Sequence, residues 1–339
     1  MTEIYLIRHA EAEGNIFRRL HGQYNSRLTS NGLRQVEALA DRFASVQIDR
    51  VYASDLCRTC QTAQAICGPK QLPLIKEPRF RETFVGSWEN RTFGELERSE
   101  PEELFRFARD PEHWIAPGAE TYEDYSRRFQ EALTEVAEAN PGKTIAVFSH
   151  GCVMSGGMHR ILGIPHDASR CDNTGVSLLR YEDGVFTPEY LFDNSHLSES
   201  LSTHARQRWW RQQGGSFNLW FRDPLPADRR FYAPEFFPQK GHRIRIAMLK
   251  EEAVGYVAYS GETISTLYLL PEYRHRRMGD QLFGEALIAL RAEGASVLNI
   301  GIPTVNVEAL SFFAHHGAAL AQMDDVYTVY RMDISVPAL

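Results

Sequence analysis

Residues 6–15 read Leu6-Ile7-Arg8-His9-Ala10-Glu11-Ala12-Glu13-Gly14-Asn15. The run Glu3-Ile4-Tyr5-Leu6-Ile7 that leads into the charged pair is short, apolar and bounded by polar residues. That is the pattern of a strand buried on both faces of a parallel sheet. Arg8 and His9 therefore stand at its carboxyl end, where open α/β sheets hold their ligands. A histidine at a strand end, taken singly, is more often a hydrogen-bonded structural residue. Here a second apolar run, Lys143–Phe148, opens onto Ser149-His150-Gly151, so two histidines arrive at one crevice on adjacent strands.

The flanking sequence alternates helix and strand signals. Thr29-Ser30-Asn31-Gly32 offers capping residues ahead of Leu33, Val36, Leu39, Ala40 and Phe43, which recur at the spacing of an amphipathic helix. A strand at Val51-Tyr52-Ala53 leads into a helix expected from Ser54-Asp55 to about Cys67, where Gly68-Pro69 stops it. Residues 90–140 read as mostly helical, broken at Asp110-Pro111 and Ala116-Pro117-Gly118, and strands at 175–181 and 185–192 close the unit. The alternation predicts a three-layer α/β domain over residues 1–195 with a mainly parallel sheet.

Residues 196–214 change character to Ser, His, Arg, Gln and Gly and read as a connecting segment, with Trp209-Trp210 packing it onto a domain. Beyond it, strands are expected at 243–249, 253–259, 263–270, 296–302 and 326–334, with helices at Gly279–Glu293 and 305–316. This is an α+β domain over 215–339 with a mixed, mainly antiparallel sheet. Two domains suit a chain of 339 residues.

Composition narrows the function classes. Hydrophobic residues at 43% and charged residues at 24% are ordinary for globular chains and exclude a disordered or fibrous one. A net charge of −7 leaves no basic reservoir for sequence-independent nucleic-acid binding. No apolar run approaches the roughly 20 residues of a membrane helix, and no basic region precedes the first strand as in a signal peptide. Five cysteines (Cys57, Cys60, Cys67, Cys152, Cys171) are an odd number in a chain large enough to fold without disulfides. They predict reduced thiols and a cytoplasmic location. No His/Asp cluster has metal-ligand spacing.

Three further features converge on the crevice. Ser54-Asp55-Leu56-Cys57-Arg58-Thr59-Cys60-Gln61-Thr62-Ala63 puts an arginine in the first turn of a helix after a strand. Arg79-Phe80-Arg81-Glu82-Thr83-Phe84-Val85-Gly86-Ser87-Trp88-Glu89 supplies loop carboxylates, and Leu20-His21-Gly22-Gln23 is a further loop behind the first strand. With these motifs in this order, residues 1–195 resemble the histidine phosphatase (phosphoglycerate mutase-like) superfamily. Its Arg-His-Gly-Glu-Thr-x-x-Asn stands here as Arg8 to Asn15, with Ala10 for Gly and Ala12 for Thr or Ser.

The resemblance implies a metal- and cofactor-independent phosphoryl transfer in which positioning and electrostatics do most of the work. His9 would be the nucleophile and form a phosphohistidine. Arg8 and Arg58 would grip phosphoryl oxygens with planar, permanently charged forks, and His150 would donate to the transferring group. Glu82 matches the family's acid, protonating the leaving alkoxide and then activating water; Glu89 and Glu11 are the alternatives. Asn15, His21, Gly22 and the amide of Gly151 would line the phosphate pocket. The substrate would be a small phosphorylated metabolite. The 67 residues between Glu82 and His150 are fewer than in family mutases. Pro117-Gly118-Ala119-Glu120-Thr121-Tyr122 looks like the Gly-Glu-Ser stretch of family phosphatases, so a phosphatase is expected over a mutase. A sensor that binds without turnover is the non-enzymatic alternative.

A second constellation joins a strand to a helix: Leu267-Tyr268-Leu269-Leu270-Pro271-Glu272-Tyr273-Arg274-His275-Arg276-Arg277-Met278-Gly279-Asp280. Helix N-terminal amides beside three arginines suit a pyrophosphate; a solvated basic turn is the plainer reading. The stretch resembles motif A of the GNAT acetyltransferases, and Asn306 to Gly317 resembles their Asn-x-x-Ala-x-x-Phe-Tyr-x-x-x-Gly. The resemblance implies an acetyl-CoA site around Leu269, Arg274, His275, Arg276, Arg277, Met278, Gly279, Asp280 and Asn306. Arg277 stands where the family has a glycine, and Phe313 replaces the tyrosine that protonates the departing thiolate, with Tyr327 and Tyr330 as candidate substitutes. Two expectations follow: an N-acetyltransferase with altered details, or a binding or dimerisation module. Homo-oligomerisation is left open.

Overall fold

The computed structural model describes residues 1–167, 171–208, 217–231 and 241–337, so Trp209 and Trp210 lie outside the described residues. The first unit runs β1 (Thr2–Arg8), α1 (Glu13–Phe17), β2 (Arg19–Leu20), α2 (Ser30–Phe43), β3 (Arg50–Ala53), α3 (Cys57–Lys70) and β4 (Leu74–Lys76). It continues with β5 (Arg91–Thr92), α4 (Phe93–Ser99), α5 (Pro101–Arg109), α6 (Tyr122–Glu138), β6 (Thr144–Ser149), α7 (Gly151–Leu162), β7 (Val176–Glu182) and β8 (Val185–Asp193).

Its main sheet has the order β4-β3-β6-β1-β7-β8. The first three pairings are parallel and the last two antiparallel, a mixed sheet whose parallel part carries the crevice. The side-chain alternation of its central strands explains the three layers. Ile4, Leu6, Ile145 and Val147 pack under Phe129, Leu133, Val153 and Met154 of α6 and α7. Ile7, Ala146 and Phe148 point the other way, onto Leu39, Phe43, Ala63 and Ile66 of α2 and α3. Thr29 caps α2, its side chain accepting from the Gly32 amide.

Gly68-Pro69 does not end α3. The helix starts at Cys57 and runs through both residues to Lys70. A proline so near the carboxyl end removes only one helical hydrogen bond. Left-handed Gln71 then closes the helix, its amide donating to the Cys67 and Gly68 carbonyls.

After α8 (Thr203–Arg206) the second unit runs β9 (Trp220–Arg222), β10 (Arg243–Leu249), β11 (Glu252–Ser260), β12 (Thr263–Leu269), α9 (Met278–Ala292), β13 (Val297–Pro303), α10 (Val307–His315), β14 (Ala319–Met323) and β15 (Tyr327–Asp333). Its sheet has the order β14-β15-β13-β12-β11-β10-β9. Only the β12–β13 pairing is parallel, and there the strands share a single register pair, Thr263 with Asn299. Strands β9 and β14 were not expected. Three residues are too few to display a period, and β14 is an edge strand exposed along its whole length, so no face of it alternates. Among the described residues no helix is long and apolar enough to cross a membrane.

The two units are not beads on a string. Phe17 of α1 belongs to the hydrophobic cluster of the second unit, where its ring meets Phe283 edge-on. A Cβ on Gly284 would fall 2.3 Å from the Phe17 ring, so that approach requires glycine. Glu13 receives two 2.8 Å hydrogen bonds from Arg291, and Arg19 pairs with Glu285. Residues 196–208, expected as a connection, are bonded to the first unit. Thr203 donates to Glu11 at 2.9 Å, Ser202 donates to Asp172 at 2.5 Å, and the Leu201 carbonyl accepts from Gln35 at 2.7 Å.

Phe17→Ala is expected to lower stability by about 3–5 kcal/mol, the usual loss for a buried phenylalanine, and Gly284→Ala to lower it by displacing the ring. Urea denaturation measures both. Midpoints unchanged in both variants would show that α1 does not dock on α9.

Candidate active site

Parallel pairing sets the site. The register aligns Ile7 with Phe148 and Arg8 with Ser149, so His9 and His150 leave their strands side by side. Their ring centroids lie 5.1 Å apart. A cavity of about 230 Å3 opens at these strand ends, and of the nine residues expected there eight line it: Arg8, His9, Asn15, His21, Gly22, Arg58, Glu82 and Gly151. His150 lies behind the wall, fully buried.

His9 is held in one tautomer. Its Nδ1 sits 2.7 Å from the Ala10 carbonyl oxygen, which can only accept, so Nδ1 carries the hydrogen and Nε2 is left with its lone pair. Burial, then the positive charges of Arg58 and Arg8, hold its pKa well below the ordinary histidine value, and the ring is neutral. The loop is tied down around it. Asn173 donates to the His9 carbonyl at 3.0 Å, and the Ala10 amide donates to Thr62 Oγ1 at 2.9 Å. Ala10 does not have a positive φ, so this turn does not need the family's glycine.

Arg58 is buried and fully directed. It donates to the Gly22 carbonyl at 2.7 Å, to the Tyr24 carbonyl at 3.0 Å and, through Nε, to His150 Nδ1 at 3.2 Å. Burial lowers its pKa to about 10, which leaves it charged at neutral pH. Because His150 Nδ1 accepts from Arg58, the ring hydrogen is on Nε2, which donates to Ser54 at 2.9 Å. The expected donation from His150 to a phosphoryl group is therefore not what this arrangement offers. Both ring nitrogens are engaged within the protein, and the ring orients Arg58.

Three buried nitrogens on cavity residues have no hydrogen-bond partner among the described residues: Arg8 Nε, Arg19 Nε and His21 Nε2. Buried polar atoms are nearly always satisfied, and these are left without a partner in the protein. Arg8 is aimed by one bond, from Nη1 to the Cys171 carbonyl at 2.5 Å. Gly14 makes room for His21, since a Cβ there would fall 2.7 Å from its ring.

The three candidate acids separate cleanly. Glu82 lines the cavity and accepts the amides of Cys152 and Val153, at 3.1 and 2.8 Å, where α7 begins. Glu89 lies behind the Gly22 loop, accepting the amides of Gln23, Tyr24 and Val85; burial raises its pKa. Glu11 accepts the Thr29 and Thr203 hydroxyls and pairs with Arg206 at 3.4 Å.

Sequence reading missed Thr62, Asn173, Arg18, Arg19, Thr203, His204 and Gln207. Thr62 lies four residues after Arg58, on the same helix face, and was findable. Asn173 reaches the site from a loop 164 residues away from His9, with no local signal.

The acetyl-CoA residues expected in the second unit do not converge on one surface. Met278 is fully buried, and Asp280, also buried, receives a 3.0 Å bond from His316. Asn306 is spent capping α10. Arg277 takes a left-handed conformation at the start of α9 and lies 3.6 Å from Asp280. Arg274 donates to the Leu269 carbonyl at 3.0 Å, Arg276 lies over Tyr273, and exposed His275 lies 3.5 Å from Glu308. Gly279 faces Phe312.

Compared with known proteins, residues 4–194 match the model of the histidine phosphatase superfamily, branch 1. The chain is 31% identical over 207 residues to the probable phosphoglycerate mutase GpmB of Proteus mirabilis, covering 59% of this chain and 96% of that protein. Among solved structures it is similar to YhfR of Bacillus stearothermophilus, at 27% identity and a TM-score of 0.56, covering 58% of this chain and 100% of that one. It is also similar to the alpha-ribazole phosphatase of Shigella flexneri, at 26% identity and a TM-score of 0.50, covering 56% and 96%. None of these matches supports a GNAT domain in the rest of the chain.

Burial lowers the pKa values of His9, His21 and His150 together. Below about pH 6.5 the unfolded chain takes up protons that the folded state refuses, so stability falls as pH falls. The loss approaches about 1.4 kcal/mol per pH unit for each such histidine. Urea midpoints are expected to drop from pH 7 to pH 5; a level profile would show that these rings charge in the folded state.

Proposed function

The chain belongs to the histidine phosphatase superfamily, and we propose that it hydrolyses phosphomonoesters through a phosphohistidine on His9. The observation that carries the reading is the neutral, tautomer-fixed His9 in a cavity whose Arg8 and His21 nitrogens lack protein partners. The Nε2 lone pair attacks phosphorus in line while Arg8 and Arg58 hold the non-bridging oxygens. The ester P–O bond breaks, and the leaving alkoxide takes a proton from the Glu82 carboxyl. The Glu82 carboxylate then removes a proton from water, whose oxygen attacks phosphorus; the P–N bond breaks and phosphate leaves with His9 neutral again. Glu82 alone of the three candidate acids lines the cavity, which supports giving it both proton transfers. The family's chemistry needs no cofactor. We place the reaction in the cytoplasm on the strength of the five free thiols.

For the second unit the reading we favour is a binding module for acetyl-CoA, not a transferase. This reading rests on the diverging β12–β13 pair and the helix start at α9, not on Met278, Asp280 or Asn306, which are buried or engaged within the protein. Phe313 is buried in the core and has no proton for a departing thiolate, while Tyr327 and Tyr330 belong to β15, paired on both sides within the sheet. Calorimetry is expected to show acetyl-CoA binding without acetyl transfer to amines; millimolar or absent binding would remove acetyl-CoA from the account.

His9→Ala is expected to abolish phosphate release from every ester, and Glu82→Gln to slow it by about 10²–10⁴-fold. Malachite-green assays over a panel of phosphomonoesters measure both. Interconversion of 2- and 3-phosphoglycerate with negligible phosphate release would make the protein a mutase.

A further inference from the structure

Sheets expose unpaired backbone at their edge strands, and natural proteins blunt those edges with charge, proline or brevity. The two large sheets end in β4, β8, β9 and β14. Three of these edges are guarded. Strand β4 has three residues and ends in Lys76, β8 carries Pro188 and Glu189, and β9 has three residues and ends in Arg222. Strand β14 reads Ala319-Leu320-Ala321-Gln322-Met323, without charge or proline, and is exposed at every residue. A bulge between Leu320 and Gln322 bends it but puts no repulsive group on it.

The side chains of this edge lack cover as well. Leu320 lies opposite Tyr330 and Met323 opposite Thr328 in the register with β15, so each shares a face with its neighbour. Tyr330 packs against the core of the second unit, and Thr328 is buried. Leu320 and Met323 therefore carry the apolar face of the sheet out to its edge, where they remain 58% and 61% exposed. Beyond the strand end, the Thr304 amide donates to the Val326 carbonyl at 2.9 Å, which brings exposed Val305 close to exposed Val326 and Tyr327. Contiguous apolar surface of this kind marks an interaction site.

Charge identifies the occupant. Asp324 and Asp325 follow the strand, and Arg331 lies opposite Ala319 at its start. Asp324 accepts the Val326 and Tyr327 amides. Asp325 and Arg331 are exposed and make no ion pair among the described residues. An antiparallel copy of the same strand presents the reverse order, its acidic end to this chain's Arg331 and its arginine to this chain's Asp325. A two-fold axis near Ala321 makes both contacts at once, as an interface between identical patches requires. A parallel copy would set acid against acid.

We propose that the chain is a two-fold dimer in which β14 pairs antiparallel with β14 of a second copy, so that the two seven-stranded sheets become continuous. The dimer is independent of the phosphoryl chemistry, since no residue of β14 lines the cavity beside His9.

Sedimentation of the full chain across micromolar concentrations tests this. The expected result is a species of twice the chain mass that dissociates on dilution. Leu320→Lys combined with Met323→Lys places four like charges at the axis and is expected to raise the dissociation constant about 100-fold. Arg331→Asp and Asp325→Arg should each raise it about 10-fold, because the pair occurs twice at a two-fold axis. The two reversals together should restore most of the affinity, which a merely structural role for either residue would not. All four positions are exposed or half-buried, and near-ultraviolet circular dichroism reports whether each variant keeps its fold. A monomer at every concentration would overturn the proposal, as would a dimer that the two lysines leave intact. A dimer whose affinity the double reversal fails to restore would overturn the antiparallel arrangement. The sedimentation of unaltered protein decides the first point even if every variant fails to fold.

Discussion

The site depends on one backbone constraint, the parallel register that sets Arg8 beside Ser149. A slip of one residue would turn every side chain of β1 to the opposite face, exchanging Ile7 with Leu6 between two differently shaped cores. The apolar alternation of β1 and β6 forbids that slip. Because the register is locked by buried side chains, the first residues past each strand are delivered to fixed positions. His9 and His150 are those residues, and Arg58, in the first turn of α3, meets them there.

Bringing these groups together is electrostatically unfavourable. Two guanidinium groups, Arg8 and Arg58, share a buried region with three histidines. The molecule answers by keeping the rings neutral and by engaging Arg58 with two carbonyls and His150. A bound dianion would convert the same crowding into attraction, because charges that repel one another all attract it.

Much of this was legible in residues 1–195, because buried strands and charged strand ends leave short, local signatures. Arg8-His9, Arg58, Glu82 and Ser149-His150 each sit in a stretch whose neighbours declare the element they belong to. The roles were less legible than the residues. Nothing in Ser149-His150-Gly151 says that Arg58 and Ser54 will occupy both ring nitrogens of His150, since those partners meet only in the fold. The same holds for Asn173 and for the segment around His204. In the second unit, pattern reading found the central strands but not β9 or β14, whose edge and brevity erase alternation. It also treated Met278 and Asp280 as ligand-facing, when the periodicity of α9 turns both inward.

The family match ends at residue 194, yet the physical site does not. Helix α1 is only five residues long and has few helical hydrogen bonds of its own, so its position must come from what it touches. Asn15 lines the cavity from one side of it while Phe17 is embedded in the second unit on the other. The residues after it are fastened the same way, Arg18 to Asn218 and Arg19 to Glu285. An isolated family domain would leave Phe17 exposed, the buried Glu13 without Arg291, and Arg18 and Arg19 without Asn218 and Glu285. The unit that positions the site is therefore larger than the unit that identifies the family, and the second unit holds α1 and the residues after it in place without itself lining the cavity.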